Sequence, residues 1–292
     1  MNSNVSVIIP VYNEALNIED VINGVKKYCE NIIVVDDKST DSSYEIIKNL
    51  EDRYPEKIIV LQNEKNSGIG FSVKKGMKKA LELDNDIIIK FDGDNQHLPD
   101  DIPKFKTKLI NEDFDLIKGN RFLISEFSEP MPNLKILGNL ITTNLQKIVS
   151  GNYKISDPNN GFLAFKKKVL NVVDFKKLKN NYYFENSLLI HISSMGLKIG
   201  EVPIKTIYQD EKSSIPIFTA SIKLLPTFMY FFYLRNVLNA KFNLSINSIV
   251  FFLLISLIVV NLFFNNFIIW FICLVMLMMY LLIDIFNFYR ND

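Results

Sequence analysis

Two carboxylates stand one residue apart in the stretch FDGDNQHLPD, residues 91–100, directly after the apolar run DIIIK at 86–90. A run of β-branched residues reads as a buried strand, so Asp92-Gly93-Asp94 arrives at a strand tip. Adjacent anions repel, and such a pair needs a compensating cation or strongly raised pKa values. Asp and Gly also end strands as ordinary turn formers, and Asp94 or Asn95 could cap the helix suggested by LPDDIPKFKTKL. On this stretch alone both readings stand. Other polar clusters follow apolar runs in the same way: Tyr12-Asn13-Glu14, Asp36-Asp37, Asn66 to Gly70, and Arg121.

The elements that carry these clusters alternate. VSVIIPV (5–11), NIIVVDD (31–37), KIIVLQN (57–63), DIIIKFD (86–92) and FDLIKGN (114–120) read as strands. Between them, 14–28, 40–54, 70–83 and 99–111 read as helices, the second opened by Thr40 or Asp41. Continuous apolar strands alternating with helices predict an α/β fold with a parallel sheet covered on both faces. Ligands of such sheets bind at the carboxyl ends of the strands, where all five clusters fall. Competing nucleotide motifs are absent: no G-x-G-x-x-G follows the first strand and no P-loop occurs. Gly68-Ile69-Gly70 lacks a third glycine and reads as a tight turn with helix entry. A net charge of +1 argues against a general nucleic-acid binder. Cys29 and Cys273 lie too far apart in character for a disulfide framework or zinc spacing.

Residues 245–286 are nearly all Ile, Leu, Val, Phe and Met. Each half, 245–264 and 267–286, has the length a helix needs to cross a hydrocarbon core. A two-helix transmembrane hairpin turning at Asn265-Asn266 is expected over 244–288. Arg235 and Lys241 before it and Arg290 after it place both ends, and hence both termini, on the cytoplasmic side. The chain opens without a signal-like segment, so 1–214 is expected to be a cytosolic catalytic domain tethered to a multi-pass membrane anchor. The apolar, aromatic stretch within 215–243 suits interfacial helices at the headgroups.

The stretches VIIPVYNE (7–14), IIVVDDKSTDSS (32–43), NSGIGFSVKKGM (66–77), KFDGDNQHLPDDI (90–102), KGNRF (118–122), SDPNNGFLAFKK (156–167) and LKIGEVPI (197–204) together resemble the family 2 glycosyltransferases. The likeness is to the membrane-attached branch typified by dolichyl-phosphate mannose synthase and bactoprenol glucosyltransferase. The resemblance implies a GT-A, Rossmann-like fold with a mixed, mainly parallel sheet. It also implies an inverting, metal-dependent hexosyltransferase moving mannose or glucose from a GDP-mannose or UDP-glucose type donor to a membrane polyprenyl phosphate. In the family the D-x-D carboxylates hold Mg²⁺ or Mn²⁺ on the donor diphosphate, and hard carboxylate oxygens suit such a cation. Asp94 is the better ligand candidate, with Gln96 beside it; Asp92 more fittingly orients metal or nucleotide. His97 is a further, weaker ligand candidate.

By the same resemblance Pro10, Tyr12 and Glu14 cradle base and ribose, Asp37 rather than Asp36 is the base-binding acid, and Arg121 pairs with phosphate oxygens. Asp36 or Asp41 would equally serve as a cap. Asp157, Asn160 and Gly161 match the acceptor loop, although Asp157 before Pro158 could simply start a turn. Lys135 is a second phosphate-contact candidate. A phosphate monoester acceptor is already anionic at pH 7, so no general base is required. The pattern departs from the family at YQDEKSS (208–214), where Lys212, Ser213 and Ser214 stand in for an arginine- and glycine-containing loop. A processive polysaccharide synthase is disfavoured, since the lone Trp270 lies in the apolar C-terminal region and no Q-x-x-R-W occurs. A transferase acting on a glycan or protein, and a degenerate binding relative, remain the alternatives. A homo-oligomer is left open.

Overall fold

The computed structural model describes residues 3–83, 85–124, 133–207, 228–233, 235–236, 246–264 and 266–290. Seven strands form one sheet: β1 (Val5–Val11), β2 (Asn31–Asp36), β3 (Ile58–Gln62), β4 (Ile87–Lys90), β5 (Leu116–Asn120), β6 (Leu163–Lys166) and β7 (Ile199–Pro203), in the order β3-β2-β1-β4-β6-β5-β7. β3, β2, β1 and β4 are mutually parallel, β5 and β7 pair parallel, and β6 runs antiparallel to both β4 and β5. The sheet is therefore mixed and mainly parallel. β6 separates β4 from β5, so Lys90 and Lys118 both stand opposite Leu163, one on each side of it.

Helices cover both faces because the strands are apolar on both. α1 (Ile18–Val25) buries Ile18, Val21, Ile22 and Val25, the spacing of a single helical stripe. With α2 (Ser43–Arg53) and α4 (Ile102–Asn111) it covers the face carrying Val7, Ile9 and Ile89. α3 (Ile69–Glu82), α6 (Lys167–Val172) and α7 (Phe184–Ser194) close the other face over Ile8, Ile33 and Ile88. α5 (Asn133–Ser150) packs on α7.

α8 (Ile246–Phe264) and α9 (Phe267–Arg290) pack against each other. Among the described residues α9 alone, over Phe267–Tyr289 with a mean hydropathy of 2.6, is long and apolar enough to cross a membrane. The apolar part of α8, Ser248–Leu262, is shorter. At its end Asn261 is buried, and its Oδ1 accepts the backbone N–H of Asn266 at 2.7 Å, closing the turn. The described residues thus carry one such span where two were expected. Of the interfacial helices expected over 215–243, residues 228–233 and 235–236 are helical and the rest lie outside the described residues.

Candidate active site

The carboxyl edge of the sheet is stitched by its own loops. Asn13, in the left-handed region at φ 58°, donates its N–H to Ser39 Oγ at 3.0 Å and accepts the Thr40 N–H on Oδ1 at 2.8 Å. Glu14 N–H reaches Ser43 Oγ at 2.8 Å and Ala15 N–H reaches Asp41 Oδ2 at 3.2 Å, so Asp41 fastens the β1 loop to the start of α2. Asp37 is buried, and its carboxylate accepts the N–H groups of Ser67 at 2.8 Å and Gly68 at 2.7 Å and the Asn63 amide at 2.7 Å. Gly68 has φ +92° and would bring a Cβ within 2.6 Å of the Asn180 carbonyl, so only glycine gives the loop this path. Asp36 instead accepts Gln62 Nε2 at 2.9 Å and the Ser39 N–H.

At the tip of β4 the two carboxylates have different fates. Lys90, fully buried, places Nζ 2.6 Å from Asp92 Oδ1 and 2.7 Å from Glu185 Oε1 on α7, and His97 Nε2 lies 3.3 Å from Asp92 Oδ2. Burial alone would raise the Asp92 carboxyl, but the Lys90 ammonium and the His97 hydrogen bond outweigh it and hold it well below the usual carboxylate range. Burial would likewise discharge Lys90, and its two anionic partners keep it charged. Asp94 moves the other way: burial, and then the neighbouring Asp92 charge, push its pKa up against the Gln96 N–H at 3.1 Å. Two carboxylates one residue apart, driven in opposite directions, mark separate roles.

A cleft of about 310 Å³ opens above this tip. Pro10, Tyr12, Glu14 and Asp37 form one wall, Lys90, Asp92, Gly93 and Asp94 the floor, and Asn159, Gly161, Tyr182 and Glu185 the other wall. Gly161 is obligatory here, because a Cβ on it would sit 2.0 Å from Asp92 Oδ2.

Of the residues singled out in the sequence, Pro10, Tyr12, Glu14, Asp37, Asp92, Asp94 and Gly161 thus meet around one cleft. Arg121 and Asp157 meet each other: Nε to Oδ2 and Nη2 to Oδ1, each at 2.8 Å, a bidentate pair with Asp157 fully buried. Neither lines the cleft. The guanidinium expected on phosphate and the acid expected on the acceptor loop are, in this structure, partners that fasten that loop to the end of β5. Asn160 is buried, its Oδ1 accepting the Phe162 N–H at 2.9 Å and its carbonyl accepting Lys118 Nζ. His97 is turned inward between Phe91 and Phe162. The carbonyl of Gln96 accepts the Ile207 N–H at 3.0 Å, tying the segment after β7 to the β4 loop. Lys135 lies on α5, with its side chain outside the described part, and Lys212, Ser213 and Ser214 lie outside the described residues.

Sequence reasoning missed Lys90, Lys118, Glu185, Tyr182 and Asn159. A signal existed for the lysines, each a single cation near the end of an apolar strand, in DIIIK and DLIKGN. Lys118 is buried, and desolvation lowers its pKa to about 8 despite the offsetting charges of Asp157, Glu185 and Glu201. Glu185 had no signal, because α7 is buried almost all round.

Among the described residues no three His, Cys, Asp or Glu side chains form a ready-made metal cage. A lone open carboxylate still fits Mg²⁺ or Mn²⁺, which commonly takes one or two protein carboxylates and completes its shell with water and substrate phosphate. Asp94, on the floor of the cleft, is the residue that would serve as such a donor. A divalent cation there would relieve the strain that raises its pKa.

Against known proteins, the model of Glycosyl transferase family 2 matches residues 6–173. UDP-N-acetylglucosamine–dolichyl-phosphate N-acetylglucosaminyltransferase of Methanococcus voltae is 37% identical over 215 residues, 70% of this chain and 85% of that protein. Dolichol-phosphate mannosyltransferase of Pyrococcus furiosus is 31% identical over 204 residues, 68% of this chain and 55% of that one. Among solved structures, glucosyl-3-phosphoglycerate synthase of Mycobacterium tuberculosis, with Mn²⁺, UDP and glucosyl-3-phosphoglycerate, superposes with a TM-score of 0.56 at 18% identity. It covers 78% of this chain and 79% of that one, a likeness of GT-A-type fold.

Proposed function

The chain belongs to glycosyl transferase family 2 and is a glycosyltransferase, and from that premise we propose that it transfers a sugar from a nucleoside diphosphate donor to a polyprenyl phosphate, with inversion at the anomeric carbon. The observation that carries this reading is the divided carboxylate pair at the tip of β4: Asp92 is spent internally on Lys90 and His97, while Asp94 fronts the cleft with a raised pKa. A bound Mg²⁺ or Mn²⁺ would neutralise the departing diphosphate.

The chain's own residues do the rest. Pro10, Tyr12, Glu14 and Asp37 form the wall suited to base and ribose, with Asp37 acting through the backbone loop it pins. Asn159, Tyr182 and Glu185 face the cleft from the opposite wall, where the sugar and the incoming phosphate would meet. A phosphate oxygen attacks the anomeric carbon, the bond from that carbon to the diphosphate breaks, and the nucleoside diphosphate leaves with the electron pair. No proton need be removed, so positioning and charge neutralisation account for catalysis. Arg121 acts indirectly, holding the 157–161 loop through Asp157.

A Methanococcus voltae relative is named for UDP-N-acetylglucosamine and dolichyl phosphate, and on the strength of that likeness we add UDP-N-acetylglucosamine to the mannose and glucose donors first expected. We read α8 and α9 together as a membrane hairpin holding the catalytic domain on the cytoplasmic side, supported by their mutual packing and the apolarity of α9. The test uses the full chain in vesicles containing polyprenyl phosphate, Mn²⁺, and radiolabelled UDP-N-acetylglucosamine, UDP-glucose and GDP-mannose. One donor should give organic-extractable label that EDTA abolishes. Label released only into water, or found on a glycan or protein, would replace the lipid acceptor with another.

A further inference from the structure

Asp284 is the sole acidic residue of α9, an otherwise apolar helix. It is 8% exposed, and both of its oxygens are engaged. Oδ1 accepts Arg235 Nη2, and Oδ2 accepts the Tyr153 hydroxyl at 2.9 Å. Arg235 also donates from Nη1 to the Ile148 carbonyl at 2.8 Å and from Nη2 to the Tyr280 hydroxyl at 3.0 Å. The Tyr280 hydroxyl in turn donates to Asn236 Oδ1 at 2.9 Å. Ile148 belongs to the last turn of α5, whose carbonyls have no partner within the helix. One guanidinium therefore caps α5 and neutralises the only acid of α9. Gly151 makes the room: at φ +67°, a Cβ built on it would lie 2.6 Å from Arg235 Nη1.

An ionisable residue in an apolar helix is costly and marks a role. Removing one member of a buried ion pair is far worse than replacing the pair with apolar packing, so the pair's return is in specific geometry. That geometry reaches the cleft. From α5, Gln146 Nε2 donates to the Asn186 carbonyl at 3.3 Å, and Asn186 Nδ2 donates to Asn159 Oδ1 at 3.2 Å. Asn159 lines the cleft, as does Glu185, the neighbour of Asn186.

We propose that Arg235 and Asp284 are positioning residues that lock the membrane helix to the catalytic domain and thereby set the height of the Asn159–Glu185 wall over the bilayer, for an acceptor phosphate held at the membrane surface. This rests on the reading of a lipid-borne acceptor. The node contributes nothing to donor binding, so its loss separates two kinds of substrate.

The test compares the full chain and its Asp284→Ala and Asp284→Asn variants on two acceptors: long-chain polyprenyl phosphate in phosphatidylcholine vesicles, and a short isoprenyl phosphate free in solution. Both variants should lose about tenfold in kcat/KM on the vesicle acceptor, a usual size for coupling between sites, with donor KM and the rate on the soluble acceptor almost unchanged. Equal loss on both acceptors, or loss on neither, overturns the proposal. If Asp284→Ala fails to fold, the isosteric Asp284→Asn and Tyr153→Phe, which removes one hydrogen bond, decide by the same criterion. If the unaltered chain transfers sugar to neither acceptor, the functional reading has failed, and the node is judged by depth instead. Quenching of Trp270, the one tryptophan of the chain, by brominated lipids should change on Asp284→Asn; an unchanged depth would overturn the lock.

Discussion

Asp92 and Asp94 share a turn and a cleft, yet their neighbours drive them apart: Lys90 and His97 fix Asp92 as an anion, while burial and that anion raise Asp94. Their substitutions should therefore differ in kind. Asp94→Ala is expected to leave the melting temperature of the detergent-solubilised protein nearly unchanged while abolishing transfer. Lys90→Met strands two buried carboxylates and should cost on the order of 3 kcal/mol of stability, read as a clear drop in the same melt; a Lys90→Met protein as stable as Asp94→Ala would refute the anchor. Lys118 supplies a pH signature. Its folded pKa of about 8 lies below the ordinary lysine value of 10.5, so between these the unfolded chain binds more protons and stability rises with pH. Lys118→Met should flatten that rise relative to the unaltered protein between pH 8 and 10, by up to roughly 3 kcal/mol; identical slopes would refute it.

At the scale of elements, the loop from Asp157 to Gly161 is what brings the acceptor side onto β4. Arg121 grips Asp157, Lys118 grips the Asn160 carbonyl, and Gly161 lets Asp92 approach. Gly161→Ala would force the Asp92 carboxylate from its contact with Lys90, and a displacement of this kind is expected to lower kcat by about a hundredfold, with donor binding by titration calorimetry affected less. A Gly161→Ala enzyme of full activity would show the approach to be immaterial. These elements were unequally legible. The first five strands and four helices were visible because apolar runs and turn signals alternate, and they appear within a few residues of their expected bounds. β6, only Leu163–Lys166, was hidden inside a motif, and its antiparallel course between β4 and β5 has no local pattern in so short a segment. The pairing of Arg121 with Asp157 was illegible because their partnership spans 36 residues and depends on how β6 inserts beside β5.

At the scale of the whole molecule, Arg235 links α5 and α9, donating to the Ile148 carbonyl and pairing with Asp284. If α8 and α9 form the hairpin proposed above, a cysteine at Asn266, in a chain with Cys29 and Cys273 replaced, should react with a membrane-impermeant maleimide only from the face opposite the catalytic domain. A cysteine at the exposed Lys38, in the β2 loop, should react only from the catalytic face. Labelling of both from one face would reduce the anchor to an interfacial or single-span arrangement. Apolarity was enough to locate these helices in the sequence; the ion pair was not, since neither Arg235 nor Asp284 has a local pattern pointing to the other.

The division of labour between Asp92 and Asp94 is tested most directly by Mn²⁺ binding, followed by electron paramagnetic resonance with and without UDP in the unaltered chain and in Asp94→Asn. One Mn²⁺ bound in a UDP-dependent manner, weakened by about tenfold or more in Asp94→Asn and strengthening as pH rises because protonated Asp94 cannot ligate, is the expected result. Undiminished Mn²⁺ binding by Asp94→Asn would contradict it and return the metal, if any, to another part of the cleft.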